Sequence, residues 1–255
     1  MKKIRIILTA LLALTTLSAY ADDLPGGGTL NNPYTISSKN DWNTFMDHLS
    51  VGGTSFAQGN TSYEGKYIKL MADITVSSFL DETESDRYSP FKGIFDGNGH
   101  SITLDYTSNS SINRHDYIAP FRYAKDATIM NLHVKGEIDA RDIKGAAGVI
   151  GYAKGYNRII NCRSSVIIDA PSTKNDGGFV GHIESDGTTE IINCLFDGSI
   201  SGKELYESGG FVGWAASDSH LYILNSLFAP TKISGDESNT FFRKKTSASA
   251  ILANC

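Results

Sequence analysis

GGFVGHIESDGTTEIINCLFDGSIS, residues 177–201, is followed one period later by GGFVGWAASDSHLYILNSLFAPTKIS at 209–234. Both open on Gly-Gly-Phe-Val-Gly, cross a polar turn and reach an Asn or Asn-Cys inside an apolar phrase. Working outward, the Asn recurs as Asn131, Asn161, Asn193, Asn225 and Asn254, in TIMNLHV (128–134), IINCRSS (159–165), IINCLFD (191–197), ILNSLFA (223–229) and ILANC (251–255). The intervals are 30, 32, 32 and 29 residues. The upstream phrase recurs as AAGVIGY at 146–152, with worn copies IAPFRYA at 118–124 and NTFFRKK at 239–245. A period near 30 residues predicts an array whose single unit cannot bury its own apolar face, so that stability comes from stacking.

Each repeat offers three short β-prone pieces separated by Gly, Asp and Ser turns, with no helical period between them. That favours an all-β, right-handed parallel β-helix over leucine-rich or helical repeats, and the repeats are too short for four-stranded propeller blades of about 40 residues. In such a winding one position of each coil lies over its equivalent, and Asn, with both donor and acceptor, suits a side-chain amide ladder. Gly148, Gly178 and Gly210 are expected at tight corners or at positive φ. Val149, Ile150, Phe179, Val180, Phe211 and Val212 are expected to fill the interior.

Residues 1–21 read as an export signal: Lys2, Lys3 and Arg5, an apolar stretch from Ile6 to Leu17, and Ala19-Tyr20-Ala21 as cleavage site. The stretch is short for a membrane span. Without it, 20 Lys+Arg face 28 Asp+Glu, a balance that argues against nucleic acid or an anionic membrane as partner. Residues 22–90 form an amino-terminal cap with opening strands, and 91–255 the β-helix, its last repeat incomplete. The cap contains one helix, with Trp42, Phe45, Met46 and Leu49 on one stripe, Ser38 as cap and Gly52-Gly53 as stop. YIKLMADITV (67–76) reads as one strand and FKGIFDGNGHSITLDY (91–106) as strand, turn, strand. Cys162, Cys194 and Cys255 share one repeat position with Ser226; stacked side chains of this kind pair poorly, so buried free thiols are expected at Cys162 and Cys194. Because Cys255 directly follows the last Asn, the chain is expected to be a fragment of a longer protein.

GVIG, GGFVG and GGFVG, each followed by INC or LNS, resemble the GLUG-motif repeats of bacterial secreted and surface proteins, and NPYTISS, YIKLMADI and FKGIFDGNGHSI are similar to the segment that precedes such repeats. The resemblance covers about Gly26 to Cys255. It implies a β-helical extracellular segment of adhesin-like proteins, with no catalytic residues of its own. The first and last copies depart from the pattern, with Pro120 and Arg122, and Phe242 and Arg243, in place of the motif residues.

Candidate chemistry is sparse. Asp96 and His100 in FDGNGH are the best single candidates for catalysis, but Asp-Gly-Asn-Gly is above all turn chemistry that reverses a chain. Arg114, His115 and Asp116 read as a solvated loop, as does the acidic DETESD at 81–86. The histidines form no HExxH pair and the cysteines no CxxC, so neither metal nor cofactor is expected; acidic stretches at 185–190 and 236–239 do not recur in register. One row suits either binding or ring stacking that stabilises the corner of the solenoid: Tyr123, Tyr152, His182 and Trp214, with Lys244 in the fifth copy. Exposed aromatic faces suit sugar rings or protein partners. The sequence therefore predicts a secreted or cell-surface adhesion or interaction scaffold for an extracellular glycan or a host or surface protein, not an enzyme. A polysaccharide lyase or glycoside hydrolase is the alternative.

Overall fold

The computed structural model describes residues 23–49, 62–77, 89–107, 117–139, 143–170, 174–201, 207–234 and 241–255. The stretch 1–21 read as an export signal, Gly52-Gly53, the acidic residues 81–86, Arg114–Asp116 and 236–239 lie outside the described residues.

The chain winds as a parallel β-helix. Every pairing between named strands is parallel, and each strand pairs with its equivalent in the next coil. Three sheets form the walls. Sheet A has eight strands: Tyr34–Ile36, Tyr67–Leu70, Ile94–Asp96, Thr128–Met130, Tyr156–Ile160, Thr188–Ile192, His220–Leu224 and Ser249–Ala253. Sheet B follows it in each coil and runs from Ile74–Val76 through Ser101–Thr107, His133–Asp139 and Arg163–Asp169 to Leu227–Phe228 and Lys232–Ile233. Sheet C has five strands: Phe121–Lys125, Ile150–Lys154, Val180–Ile183, Val212–Ala215 and Phe242–Lys244. Short parallel pairs, Tyr117–Ile118 with Gly145–Ala146 and Lys174–Gly177 with Glu207–Gly209, precede sheet C. The strands within 22–90 thus belong to the same sheets as the later repeats.

Inside, like stacks on like. Sheet A contributes the inward row Ile68, Phe95, Ile129, Ile159, Ile191 and Ile223, all at most 1% exposed. Phe179, Phe211 and Phe241 stack with nearly parallel rings, centroids 5.5 and 5.9 Å apart. Val149, Ile150, Phe179, Val180, Phe211 and Val212 are fully buried, as their phrase predicts.

The helix Lys39–Leu49 lies where sheet C has yet to begin. Ser38 Oγ accepts from the Asp41 N–H, and the Asp41 carboxylate accepts from the Ser37 N–H, a reciprocal cap. Its stripe is buried: Trp42 meets Phe95 and Phe121 edge-on, and Phe45 contacts Phe91, Phe95 and Tyr63. The helix so plugs the apolar end of the first coils, where sheet edges and core would otherwise meet water.

Three expectations change. The 67–76 stretch is two strands, Tyr67–Leu70 in sheet A and Ile74–Val76 in sheet B, because a coil corner falls between them. The FDGNGH turn does not reverse the chain: it carries it round the corner from Ile94–Asp96 in sheet A to Ser101–Thr107 in sheet B. Gly148, Gly178 and Gly210 stand at bends between strands, as a corner requires, but not at positive φ; the recurring asparagines take that conformation instead, Asn131, Asn161, Asn193, Asn225 and Asn254 lying between φ 49° and 55°. The glycines answer to close approach: a Cβ on Gly178 would stand 2.4 Å from the Gly210 carbonyl oxygen and 2.5 Å from the Phe196 ring.

Candidate functional site

Sheet C turns one row of side chains outward, and it is the aromatic row read from the repeats. Tyr123 pairs with Tyr152, Tyr152 with His182, and His182 with Trp214, all half-buried. Parallel register alone produces this alignment. The Tyr152 and His182 rings stack at 4.8 Å, and Tyr123 stands 6.1 Å from Tyr152. Tyr117, buried on the short strand before sheet C, leans across the row, its ring 5.3 Å from Tyr152 and its hydroxyl 2.9 Å from His182 Nδ1. Room for it comes from the glycine that closes each phrase: a Cβ on Gly151 would stand 2.8 Å from the Tyr117 Cβ.

The fifth member is not Lys244. A register shift between Val212 and Ala215 aligns Lys244 with Ala215 and leaves Arg243 beside the row. The Arg243 guanidinium sits 4.5 Å over the Trp214 ring and donates to the Gly213 carbonyl. At the other end Arg122 lies 5.3 Å from the Tyr123 ring. Arg122 and Arg243 occupy the place of Gly151, Gly181 and Gly213, so the two atypical repeats supply a cation to each terminal ring.

Burial governs the row's electrostatics. It pushes the His182 ring down to about 4, so the ring is neutral near pH 7. Burial, then the neighbouring Glu184 carboxylate, pushes the Tyr152 hydroxyl up to about 12. Glu184 in turn pairs with Lys154 at 3.0 Å. The arrangement presents uncharged aromatic edges with hydrogen-bonding tips near pH 7.

Asp96 and His100 do not converge. Asp96 accepts from the Asn98 N–H and from the Asn131 amide, beginning the ladder, while His100 lies 3.3 Å from Asp73. Sequence reading passed over a different cluster, on sheet B. His133 Nε2 lies 2.9 Å from Ser165 Oγ, which donates to Asp197 at 2.6 Å, and Arg163 Nε also donates to Asp197. These residues lie about one coil apart in sequence, and only strand register brings them together. Burial raises the Asp197 carboxyl, but the bonds from Arg163 and Ser165 outweigh it and hold it below its usual range. Burial, with Arg163 and Lys135 nearby, lowers His133. The order of bonds decides the chemistry: the Ser165 proton goes to the carboxylate, so His133 is a donor to Ser165 and not its base, unlike a nucleophilic Ser-His-Asp arrangement.

Cys162 and Cys194 are buried free thiols in one stacked position; the Cys162 N–H points at Cys194 Sγ and the Cys194 N–H at Ser226 Oγ. Burial pushes the Cys162 thiol up. Among the described residues no group of three or more His, Cys, Asp or Glu gathers to hold a metal ion, and no helix is long and apolar enough to cross a membrane.

No family model and no curated protein matches the chain. Among solved structures it is similar to a crystal structure described as a "putative immunoglobulin A1 protease" from Bacteroides ovatus, at 18% identity, covering 90% of this chain and 80% of that one, with a TM-score of 0.43.

Proposed function

We propose that this chain is an exported β-helical module of the GLUG-repeat kind that works as an adhesion or interaction scaffold for an extracellular glycan or a surface protein. The observation that carries the reading is the row Tyr123, Tyr152, His182 and Trp214, four half-exposed rings at successive coils of one outer face. Rigid aromatic rings offer contact area at little conformational cost. A stiff parallel stack is a suitable bearer, since its turns and outer faces vary without disturbing the interior. The export reading rests on residues 1–21.

The test is a binding screen of residues 22–255 against glycans and extracellular-matrix proteins, run beside a polysaccharide-depolymerisation assay. Binding that Trp214→Ala weakens at least tenfold supports the reading. If Trp214→Ala lowers the melting temperature and leaves every binding signal unchanged, the row serves the fold alone. Depolymerisation by the wild-type chain would replace the scaffold with a carbohydrate-active enzyme.

A further inference from the structure

We propose that the outer face of sheet A packs on the same face of a second copy of this chain, about a two-fold axis parallel to the strands, so that two solenoids lie side by side with opposite axial directions. The inference goes beyond the aromatic row, which lies on sheet C. Alternation along sheet A puts Ile129, Ile159, Ile191 and Ile223 inside, so the residue after each faces out. Those residues are Met130, Ile160, Ile192 and Leu224, an unbroken, half-buried aliphatic row four coils long. Ile251, in the neighbouring outward column, is 52% exposed. A contiguous aliphatic row on an outer face is the kind of patch that marks a protein contact.

Spacing and charge choose the occupant. The row repeats at the coil step of about 4.8 Å, and a second copy offers side chains of the same kind at the same step. Arg158 and Glu190 stand in the neighbouring column on successive coils, joined at 3.2 Å. A two-fold axis midway between these coils sets Arg158 against the partner's Glu190 and Glu190 against the partner's Arg158, closing a square of alternating charge. The same axis lays Ile160 on the partner's Ile192, Met130 on the partner's Leu224 and Thr128 on the partner's Tyr222. Each contact occurs twice, as a self-complementary interface requires. Sliding the partner by one coil either way sets Glu190 on the partner's Glu190 or Arg158 on the partner's Arg158, so the charges select one register. With strands of the two copies aligned, the faces can approach to the usual sheet spacing of about 10 Å. The face spans six coils, from Ile94 to Ile251, and is five residues wide at Tyr156–Ile160. That is roughly 450–500 Å² of flat area per copy, so the pair reaches about 1,000 Å² in total, the lower bound for a specific interface and the size of a reversible dimer.

Sedimentation velocity of residues 22–255, which contain the whole described fold, tests this at about 10–500 μM chain, the range an interface of this size calls for. The wild-type chain should form a dimer. Ile192→Glu, on the outer face, buries an unpaired charge in the contact and should weaken the dimer at least about tenfold. Arg158→Glu and Glu190→Arg should each weaken it likewise, because either one opposes like charges across the axis. Mixed in equal amounts, those two variants should recover the dimer, since one carries two carboxylates where the other carries two guanidiniums. Loss of the ion pair within a chain cannot be repaired by mixing. Melting curves identify the variants that remain folded. A wild-type chain that stays monomeric, a dimer unchanged in folded Ile192→Glu, or mixed charge variants that fail to associate overturns the proposal. Trp214→Ala, on sheet C, should leave the dimer intact; if it dissolves the dimer, the contact belongs to the aromatic row and the proposal falls. A chain that dimerises but binds no glycan or matrix protein keeps this interface and loses the scaffold reading.

Discussion

A solvent-exposed amide bond adds little to stability, yet an Asn stands at the same corner of five repeats. The backbone explains this better than the ladder does. All five have φ near +50°, where most L-residues pay about 1–2 kcal/mol and Asn is among the few that visit readily. Asn193→Ala should therefore cost about 1–2 kcal/mol in urea unfolding, and Asn193→Gly less, although both remove the amide. Equal loss in the two variants would make the amide they both lack, and not the backbone, the main term. His182 provides a pH signature. Its folded pKa is about 4, below the usual 6.5, so its neutral form contributes stability that is complete above about 6.5 and lost as pH falls toward 4. Denaturation midpoints should fall across that window, and His182→Gln should flatten the slope. The Asn recurrence was legible in the sequence, and its reason was available too, since αL corners select Asn; the amide ladder drew attention away from it.

At the level of elements, the repeat phrase divides its labour. Gly178 has no room for a methyl group against a carbonyl of the next coil, so Gly178→Ala should lower stability by several kcal/mol or leave the chain unfolded, measurable by calorimetry. Phe211, between Phe179 and Phe241, should cost about 3–5 kcal/mol as Phe211→Ala, by the same measurement. Ser38→Ala, at the helix cap, should cost only about 1 kcal/mol. The helix could be read from its apolar spacing and cap. The break inside 67–76 could not, because Met71-Ala72-Asp73 turns the corner without the Gly or Pro that announces a turn. The aromatic row was legible as a repeat column up to Trp214, and failed at Lys244 because a register shift has no sequence mark. The His133–Ser165–Asp197 cluster was invisible for a related reason: Ser165 and Asp197 share one repeat position but differ in residue type, His133 holds another position, and only the winding joins them.

On the scale of the molecule, the interfaces between the middle coils are nearly the same interface. Equivalent residues of sheet A are paired 32 apart from Thr188↔His220 to Ile192↔Leu224, and the thiol column keeps the same offset. Excising residues 178–209, one full coil from Gly178 to the position before its counterpart Gly210, would rejoin surfaces that already match. Such a chain should still fold, with lower thermal stability, whereas removing half as many residues should abolish folding; circular dichroism distinguishes the two. Length in this architecture is therefore quantised. It can grow or shrink by whole turns, and each added turn extends every outer row by one more site without redesigning the interior.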